Sequence, residues 1–229
     1  MPTTKARDKT KAHQRYRSKT KFLRNGNGII LPGVTTIIDG QLGWNKQVLM
    51  NWATRTALDG QDPDKIKEQA GDIGTLIHDM IEAHIVGEEF DTSGSPQTEI
   101  DKAENGYLAY LDWESANKPQ YLGIELEVIS EEYMFGGTLD ILMRLDEKLV
   151  QVDLKSSKGV YAEMIIQVAA YKHAYEEQEG KIIDECHILK LGKEDGGFEH
   201  HKITAEKLAA GWRAFFHCLQ LKKEEKVLK

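Results

Sequence analysis

Two apolar runs with only a short polar gap between them constrain the fold of this chain most strongly. Residues 137–145 and 148–154 are rich in Ile, Leu, Val and Met, and only Asp146 and Glu147 separate them. Short runs of this kind around a polar gap predict a β-hairpin. The pairing places Asp140, in the first strand, beside the far end of the second strand.

The predicted hairpin carries three charged side chains that can meet at one point. Asp153 and Lys155 lie on either side of Leu154, and residues two apart in a strand face the same side. Asp140 joins them from the paired strand. Two carboxylates suit Mg2+ or Mn2+, which polarises a phosphoryl oxygen and lowers the pKa of a bound water. An isolated D-x-K is also common on ordinary surface hairpins, so the neighbouring segments must decide between these interpretations.

Neighbouring segments place further polar residues at regular spacing. Residues 123–128 alternate apolar side chains with Glu125 and Glu127, which predicts a third strand with both carboxylates on one face. Residues 70–85 have helical periodicity and carry His78. Alone, His78 is typical of a packed or surface histidine, and only its combination with the strands favours a site.

Helical patterns are predicted on both sides of these strands. Residues 161–177 place Gln167 and Tyr171 four apart on one helix face. An amphipathic helix is predicted at 44–58, with Val48, Leu49 and Trp52 on one face. The other predicted elements are helices at 98–117 and from Thr204 onward, strands at 181–193 and 196–204, an N-terminal hairpin within 16–31 around Asn-Gly-Asn-Gly, and a loop at 87–97.

The ordered set of motifs resembles the PD-(D/E)XK nuclease superfamily, in its RecB-like exonuclease branch. That branch combines G-x-x-x-H on a helix, a strand glutamate, G-x-x-D, D-x-K followed by Ser or Thr, and a Q-x-x-x-Y helix. The matching residues here are Gly74, His78, Glu125, Gly137, Asp140, Asp153, Leu154, Lys155, Ser156, Gln167 and Tyr171. LPGVTTII at 31–38 also resembles the P-S-V-T-x-I-L segment of phage-type exonucleases and the mitochondrial genome maintenance exonuclease. Gly33 in place of Ser, and Leu154 in place of an aromatic residue, depart from the pattern without changing a ligand.

The resemblance implies a role for each matching polar residue. The implied metal ligands are His78, Asp140, Asp153 and the Leu154 carbonyl. The implied catalytic residues are Lys155, Asp140, Asp153, Glu125 and His78, and the implied nucleic-acid-binding residues are Ser156, Gln167 and Tyr171. Lys155 would position or activate the attacking water, and Glu125 would hold a second metal or its water shell, with Glu127 as its rival. Tyr171 is equally compatible with plain core packing.

The resemblance also implies the fold and the activity. We expect an α/β fold with a restriction-endonuclease-like core, in which helices flank a central mixed sheet of about five strands. The implied function is a Mg2+- or Mn2+-dependent exonuclease that acts on single-stranded or end-processed double-stranded DNA in replication, recombination or repair. The implied partners are DNA and a single-strand annealing or replication protein, in the cytoplasm of a bacterial or phage-infected cell, with the mitochondrial matrix as the alternative. A structure-specific endonuclease and a non-catalytic nucleic-acid-binding or recombination module remain alternatives.

The net charge of −7 is unevenly distributed along the 229 residues. The first 24 residues carry nine Lys or Arg and one acid, so they are +8 and the remainder is −15. Such a segment is typical of a phosphate-contacting arm, with a solvated tail or a transit peptide as alternatives. Because the predicted hairpin overlaps the end of this basic segment, we favour a basic arm and hairpin at 1–30, followed by a single nuclease domain at 31–229.

The remaining composition predicts a single domain with free thiols. No apolar run is long enough to predict a membrane span. Cys186 and Cys218 lie far apart and indicate a reducing compartment, and two cysteines are too few for the four-cysteine iron–sulfur cluster of some RecB-like nucleases. His200 and His201 are adjacent on a predicted strand and face opposite ways, which argues against a shared metal.

Overall fold

Helices and strands succeed one another around one central sheet. The computed structural model describes residues 16–24 and 26–229. The strands there are β1 Tyr16–Phe22, β2 Gly28–Leu31, β3 Gln120–Ser130, β4 Phe135–Leu145, β5 Lys148–Lys155, β6 Glu185–Leu191 and β7 Phe198–Lys202. The helices are α1 Val34–Gln41, α2 Lys46–Leu58, α3 Pro63–Val86, α4 Gln97–Asn117, α5 Ala162–Glu179 and α6 Ala205–Leu228.

The central sheet has the strand order β3-β4-β5-β6-β7. Neighbouring strands are antiparallel except β5 and β6, which are parallel because α5 carries the chain back between them. The β4–β5 turn consists of Asp146 and Glu147, with φ values of 47° and 65°, and two consecutive left-handed residues are what a tight hairpin turn requires. The predicted hairpin is confirmed. The predicted α/β fold, a five-stranded mixed sheet flanked by helices, is confirmed as well.

Each face of the sheet is covered by its own helices. Helices α3 and α4 pack on one face, where their buried side chains meet those of the strands, among them Ile77, Ile81, Tyr110, Val150, Val152 and Leu189. Helices α1, α5 and α6 pack on the other face, with Ile37, Val128, Phe135, Tyr171, Ile188 and Phe215 buried between them. Both faces of the sheet are therefore covered by apolar side chains. A charged residue within a strand needs a polar partner there to offset the cost of its burial.

Helix ends follow the capping residues of the sequence. The Asp62 side chain accepts hydrogen bonds from the first backbone N–H groups of α3, Pro63 occupies the first turn, and Gly87 ends the helix at φ 81°. Thr204, where the last helix was predicted to begin, caps α6 by accepting a hydrogen bond from Lys207 N. The helix expected at 70–85 is the second part of the longer α3.

Helix α2 is formed where predicted, but its apolar residues do not pack on the body of the protein. An amphipathic helix normally buries its apolar face, yet Val48 and Leu49 are 66% and 58% exposed, and Trp52 is 40% exposed. Thr56 is the buried residue of this helix.

The predicted N-terminal hairpin is confirmed as the antiparallel pair β1–β2. Its Ser18 hydroxyl donates a hydrogen bond to Glu131 at 2.6 Å, so the hairpin is fixed to the β3–β4 turn. The first fifteen residues of the predicted basic arm lie outside the described residues. Cys186 and Cys218 are both buried free thiols, and no helix in the described part of the chain is long and apolar enough to cross a membrane.

Candidate active site

The candidate site lies where strands β4 and β5 separate. Their ladder ends at Ile141 opposite Val152. One step further, the backbone N–H of Leu154 donates a hydrogen bond of 2.8 Å to Asp140 Oδ2. The Asp140 carboxylate thus takes the place of a ladder carbonyl, and its position is fixed relative to β5.

Asp153 and Lys155 meet on one side of β5, as the strand period predicts. Lys155 Nζ lies 2.7 Å from Asp153 Oδ2, and the two side chains are 18% and 1% exposed. Although this distance is short, neither oxygen of Asp153 has a well-directed hydrogen-bond donor among the described residues. A buried carboxylate whose close partner is a single ammonium group is costly, and its oxygens keep lone pairs for further bonds.

Burial and neighbouring charge control the protonation of this pair. Burial raises the pKa of Asp153 to about 7, with an opposing pull from Lys155 and a further rise from Asp140. Burial alone would lower the pKa of Lys155, but the charges of Asp153 and Asp140 outweigh it and raise that pKa above its ordinary value. Lys155 is therefore an ammonium group that can donate hydrogen bonds and cannot accept a proton.

A second group of possible ligands adjoins this pair. Ligand atoms of His78, Glu125 and Asp140 lie within 4.8 Å of one another. His78 Nε2 is 3.1 Å from the Leu154 carbonyl oxygen, which can only accept, so Nε2 carries the proton. In the neutral imidazole the lone pair is then on Nδ1, which is 3.9 Å from Asp140 Oδ2. A histidine held through its other nitrogen in this way is oriented as metal-ligating histidines are.

Glu125 reaches this group through an irregular backbone. The pairs on either side, Ile124 with Ile141 and Leu126 with Leu139, place Glu125 beside Asp140. Its φ of 49° is in the left-handed region, which costs a non-glycine residue about 1–3 kcal/mol and breaks the alternation expected for β3. Glu127 lies opposite Thr138 instead and is exposed. The expectation that both glutamates share one strand face is wrong, because the strained residue interrupts the period.

The remaining predicted residues, Ser156, Gln167 and Tyr171, lie against the elements that carry the site. Gln167 Nε2 donates a hydrogen bond of 2.9 Å to Tyr171 Oη, and Tyr171 is buried in the core beneath β4. Ser156 faces α3, where its hydroxyl would be 2.8 Å from a Cβ on Gly74. The structure therefore brings both motif glycines against motif side chains, whereas binding of nucleic acid by Ser156, Gln167 and Tyr171 stays a prediction.

Two tyrosines pack directly on the backbone of β4 just before Asp140. A Cβ on Gly137 would lie 2.2 Å from Tyr171 Cε1, and one on Gly136 would lie 2.5 Å from Tyr16 Cβ. Tyr16 also forms a 3.1 Å hydrogen bond between its hydroxyl and Thr138 Oγ1. The sequence prediction did not include Tyr16 among the site's supporting residues. The sequence signal that could have revealed Tyr16 is the Gly136-Gly137 doublet. Tyr171 accounts for the missing side chain at Gly137, and Gly136 requires a second bulky neighbour.

Gly137→Ala is expected to destabilise the protein by about 1–3 kcal/mol, because the added methyl group overlaps the Tyr171 ring. Gly71→Ala in α3, where a Cβ meets nothing within 4 Å, is the matched control and should stabilise by up to about 1 kcal/mol. Urea unfolding of the two variants measures the difference. Equal stability of Gly137→Ala and wild type would contradict the packing described.

A histidine pair at the other edge of the sheet forms a directional hydrogen-bond chain. The Trp113 indole N–H can only donate, to His200 Nδ1 at 3.4 Å. His200 Nε2 then donates to His187 Nδ1 at 3.1 Å, and His187 Nε2 donates to Glu185 at 3.0 Å. His201 bonds to Glu199 instead, so the adjacent histidines do face opposite ways.

Replacing His200 with glutamine is expected to reduce the acid sensitivity of folding. Burial lowers the pKa of both His187 and His200 below the ordinary 6.5. The folded state therefore takes up fewer protons than the unfolded state, and stability is lost as the pH falls below 6.5. The thermal midpoint of the variant, measured against wild type from neutral pH to pH about 5, should fall less. The exposed His217→Gln variant should behave as wild type, and an identical pH profile for His200→Gln would refute the assignment.

Comparisons with known proteins give distant similarities of fold. No protein-family model matches the chain, and no curated protein matches it. A provisionally named exonuclease from Eubacterium rectale is 12% identical, with 67% of this chain and 68% of that chain covered and a TM-score of 0.46. The alkaline exonuclease LHK-Exo from Laribacter hongkongensis, in complex with dAMP, is 11% identical, with 69% and 87% covered and a TM-score of 0.40. At these TM-scores the similarities assign neither a family nor an activity.

Proposed function

We propose that the chain is a metal-dependent nuclease that hydrolyses phosphodiester bonds in DNA from a free end. The observation that carries the proposal is the buried Asp153–Lys155 pair beside the group of His78, Glu125 and Asp140. Burying a carboxylate with one ammonium partner is costly for stability, and perturbed groups of this kind are typical of functional sites.

The donor set fits a hard divalent cation. Carboxylate oxygens, a carbonyl oxygen and one imidazole nitrogen are ligands for Mg2+ or Mn2+. The oxygens of Asp153, one of which lies 2.7 Å from Lys155 Nζ, have lone pairs left for such an ion. The residues that would hold it are His78, Glu125, Asp140, Asp153 and the Leu154 carbonyl. A bound divalent cation would polarise the phosphoryl oxygen and lower the pKa of a bound water.

Lys155 performs a separate task in this proposal. Because its pKa is raised, it remains a donor that orients the attacking water and balances the negative charge that develops on the phosphoryl group. Asp153 holds the ammonium in place at 2.7 Å. Tyr171, whose hydroxyl accepts a hydrogen bond from Gln167, packs on the strand backbone at Gly137.

Exonuclease activity on DNA is the finer part of the proposal, and the motif resemblance supports it. The test is cleavage of end-labelled linear DNA, single- and double-stranded, beside circular single-stranded DNA, in Mg2+, Mn2+ or EDTA. We expect linear DNA alone to be degraded, with the loss of all activity in EDTA and in Lys155→Ala.

The outcomes separate the alternatives. Cutting of the circle would identify an endonuclease that uses the same site. Binding of DNA without cleavage in either metal would overturn the enzymatic proposal in favour of a non-catalytic module. The position of the retained label gives the polarity of degradation.

A further inference from the structure

Strand β7 ends the central sheet and leaves one of its own edges unpaired. In the described part of the chain it is the last strand of the order β3-β4-β5-β6-β7. Gly197 O accepts a hydrogen bond from Gly192 N, and bonded and non-bonded pairs alternate along an antiparallel ladder. Every second residue of β7 therefore directs its backbone N–H and C=O groups away from β6. These outward residues are Phe198, His200 and Lys202.

Nothing in β7 blocks pairing with a further strand in the ways that edge strands commonly use. Its ladder with β6 runs through five consecutive pairs without a bulge, and its sequence FEHHK contains no proline. Glu199, His200 and Lys202 are exposed. Charged side chains are the remaining protection, because like charges placed opposite each other disfavour pairing. A strand that pairs with β7 must therefore offer its charges in matching order.

The charges of β7 match those of a second β7 strand that runs in the opposite direction. Antiparallel pairing about His200 aligns the outward groups of both copies and places Phe198 opposite Lys202. The same register places Glu199 opposite His201, a side chain that already bonds to Glu199 within one chain at 2.7 Å. A slip of two residues, the smallest that keeps the outward groups aligned, would oppose Glu199 with Glu199 or His201 with His201. Charge therefore selects one register.

A cavity of about 330 Å³ adjoins this edge on the side of α4. Its lining includes Leu108, Asp112, Trp113 and Phe198. In the selected register the stem of Lys202 from the partner subunit lies on Phe198, with its ammonium group near Asp112. Lys202 is 59% exposed and shares Glu185 with Lys148, so Glu185 keeps a cation when Lys202 turns towards the partner. The cavity and the side chain that enters it are thus complementary in charge.

We propose that the chain forms a twofold homodimer in which two β7 strands pair antiparallel about His200 and join the two five-stranded sheets. The proposal goes beyond the nuclease function and does not depend on it. Because the five residues of β7 form most of the contact, we expect a weak dimer with a Kd on the order of 10 µM. Antiparallel pairing reverses the strand direction, so the two candidate sites lie at opposite ends of the joined sheet.

Sedimentation velocity of the full chain between about 1 and 100 µM tests the proposal, and wild type should pass from monomer to dimer over this range. His200→Pro removes one outward N–H group and leaves the ladder with β6 complete, so it should abolish the dimer. His200→Ala is the matched control. It also lacks the imidazole but keeps the N–H group, and it should dimerise as wild type.

A charge exchange tests the register without a change in the backbone. Glu199→His and His201→Glu each place like side chains opposite each other twice in the dimer, and each should weaken it about tenfold. The double variant Glu199→His/His201→Glu restores the opposition and should recover the dimer. Lys223→Glu, an exposed change near the far end of α6, should dimerise as wild type.

Loss of the dimer in His200→Pro, with recovery in the double variant, supports the proposal. Wild type that stays monomeric at about 100 µM overturns it. A dimer that persists in His200→Pro, or a double variant that does not recover, also overturns it and assigns the contact to another surface. Circular dichroism checks that each variant is folded. DNA cleavage by the same variants, expected to be unchanged, separates this result from the proposed function.

Discussion

Asp140→Asn is expected to lower the rate of metal-dependent DNA cleavage by about 10³-fold or more while leaving the fold intact. The amide oxygen can still accept the hydrogen bond that Leu154 N donates at 2.8 Å. What disappears is the negative charge beside His78 and Glu125, on which binding of a divalent cation depends. The loss should therefore appear in the chemical step and in the metal concentration required, with the thermal midpoint in EDTA little changed.

Initial rates on end-labelled linear DNA across a Mg2+ titration measure this effect. Glu125→Gln and Glu127→Gln form a matched pair on the same strand, and only the former should reduce the rate, because Glu127 lies outside the ligand group. Lys155→Ala should be as inactive as Asp140→Asn at every metal concentration. A rate close to wild type for Asp140→Asn would show that the site is assigned wrongly.

Asp153→Asn is expected to abolish cleavage and to make the thermal midpoint of the metal-free protein less dependent on pH between about 4 and 7. Burial raises the pKa of Asp153 from 3.8 to about 7. A folded-state pKa above the unfolded value means that stability is lost as the pH rises between 3.8 and about 7. Asparagine does not titrate, so this loss of stability with rising pH is absent from the variant, while Lys155 loses the charge of its partner.

Thermal unfolding in EDTA at several pH values tests the stability prediction. The midpoint of wild type, relative to that of Asp153→Asn, should fall as the pH is raised from about 4 to 7. Mg2+ should raise the midpoint of wild type but not of Asp153→Asn. Asp112→Asn, an exposed position on α4, should change little. A difference between the two midpoints that does not change with pH would show that this carboxylate keeps its ordinary pKa in the folded protein.

The strands and their charged residues were predictable because strand periodicity and turn composition are local properties. The β4–β5 hairpin needs only two apolar runs and a two-residue gap, and the meeting of Asp153 with Lys155 follows from residues two apart sharing a face. The position of Asp140 also follows, since antiparallel pairing from a fixed turn sets the register. Their roles in catalysis stay predictions.

Other features depend on tertiary contacts that no periodicity reveals. Glu125 adopts φ 49°. The regular alternation that predicted Glu125 and Glu127 on one strand face is therefore interrupted at Glu125, which lies beside Asp140. The exposure of the apolar residues of α2 was also not predictable, because an amphipathic pattern does not show which part of the protein covers the apolar side. Tyr16 is more than a hundred residues from Gly136 and Thr138 in the sequence, yet it contacts both of them near the site.

The glycine doublet before Asp140 couples the sizes of four residues. Gly136 and Gly137 have no side chains to yield, so the rings of Tyr16 and Tyr171 rest on the β4 backbone itself. A larger residue at either glycine position would need a smaller one at its tyrosine partner. Substitutions at these four positions are therefore tolerated in matched pairs.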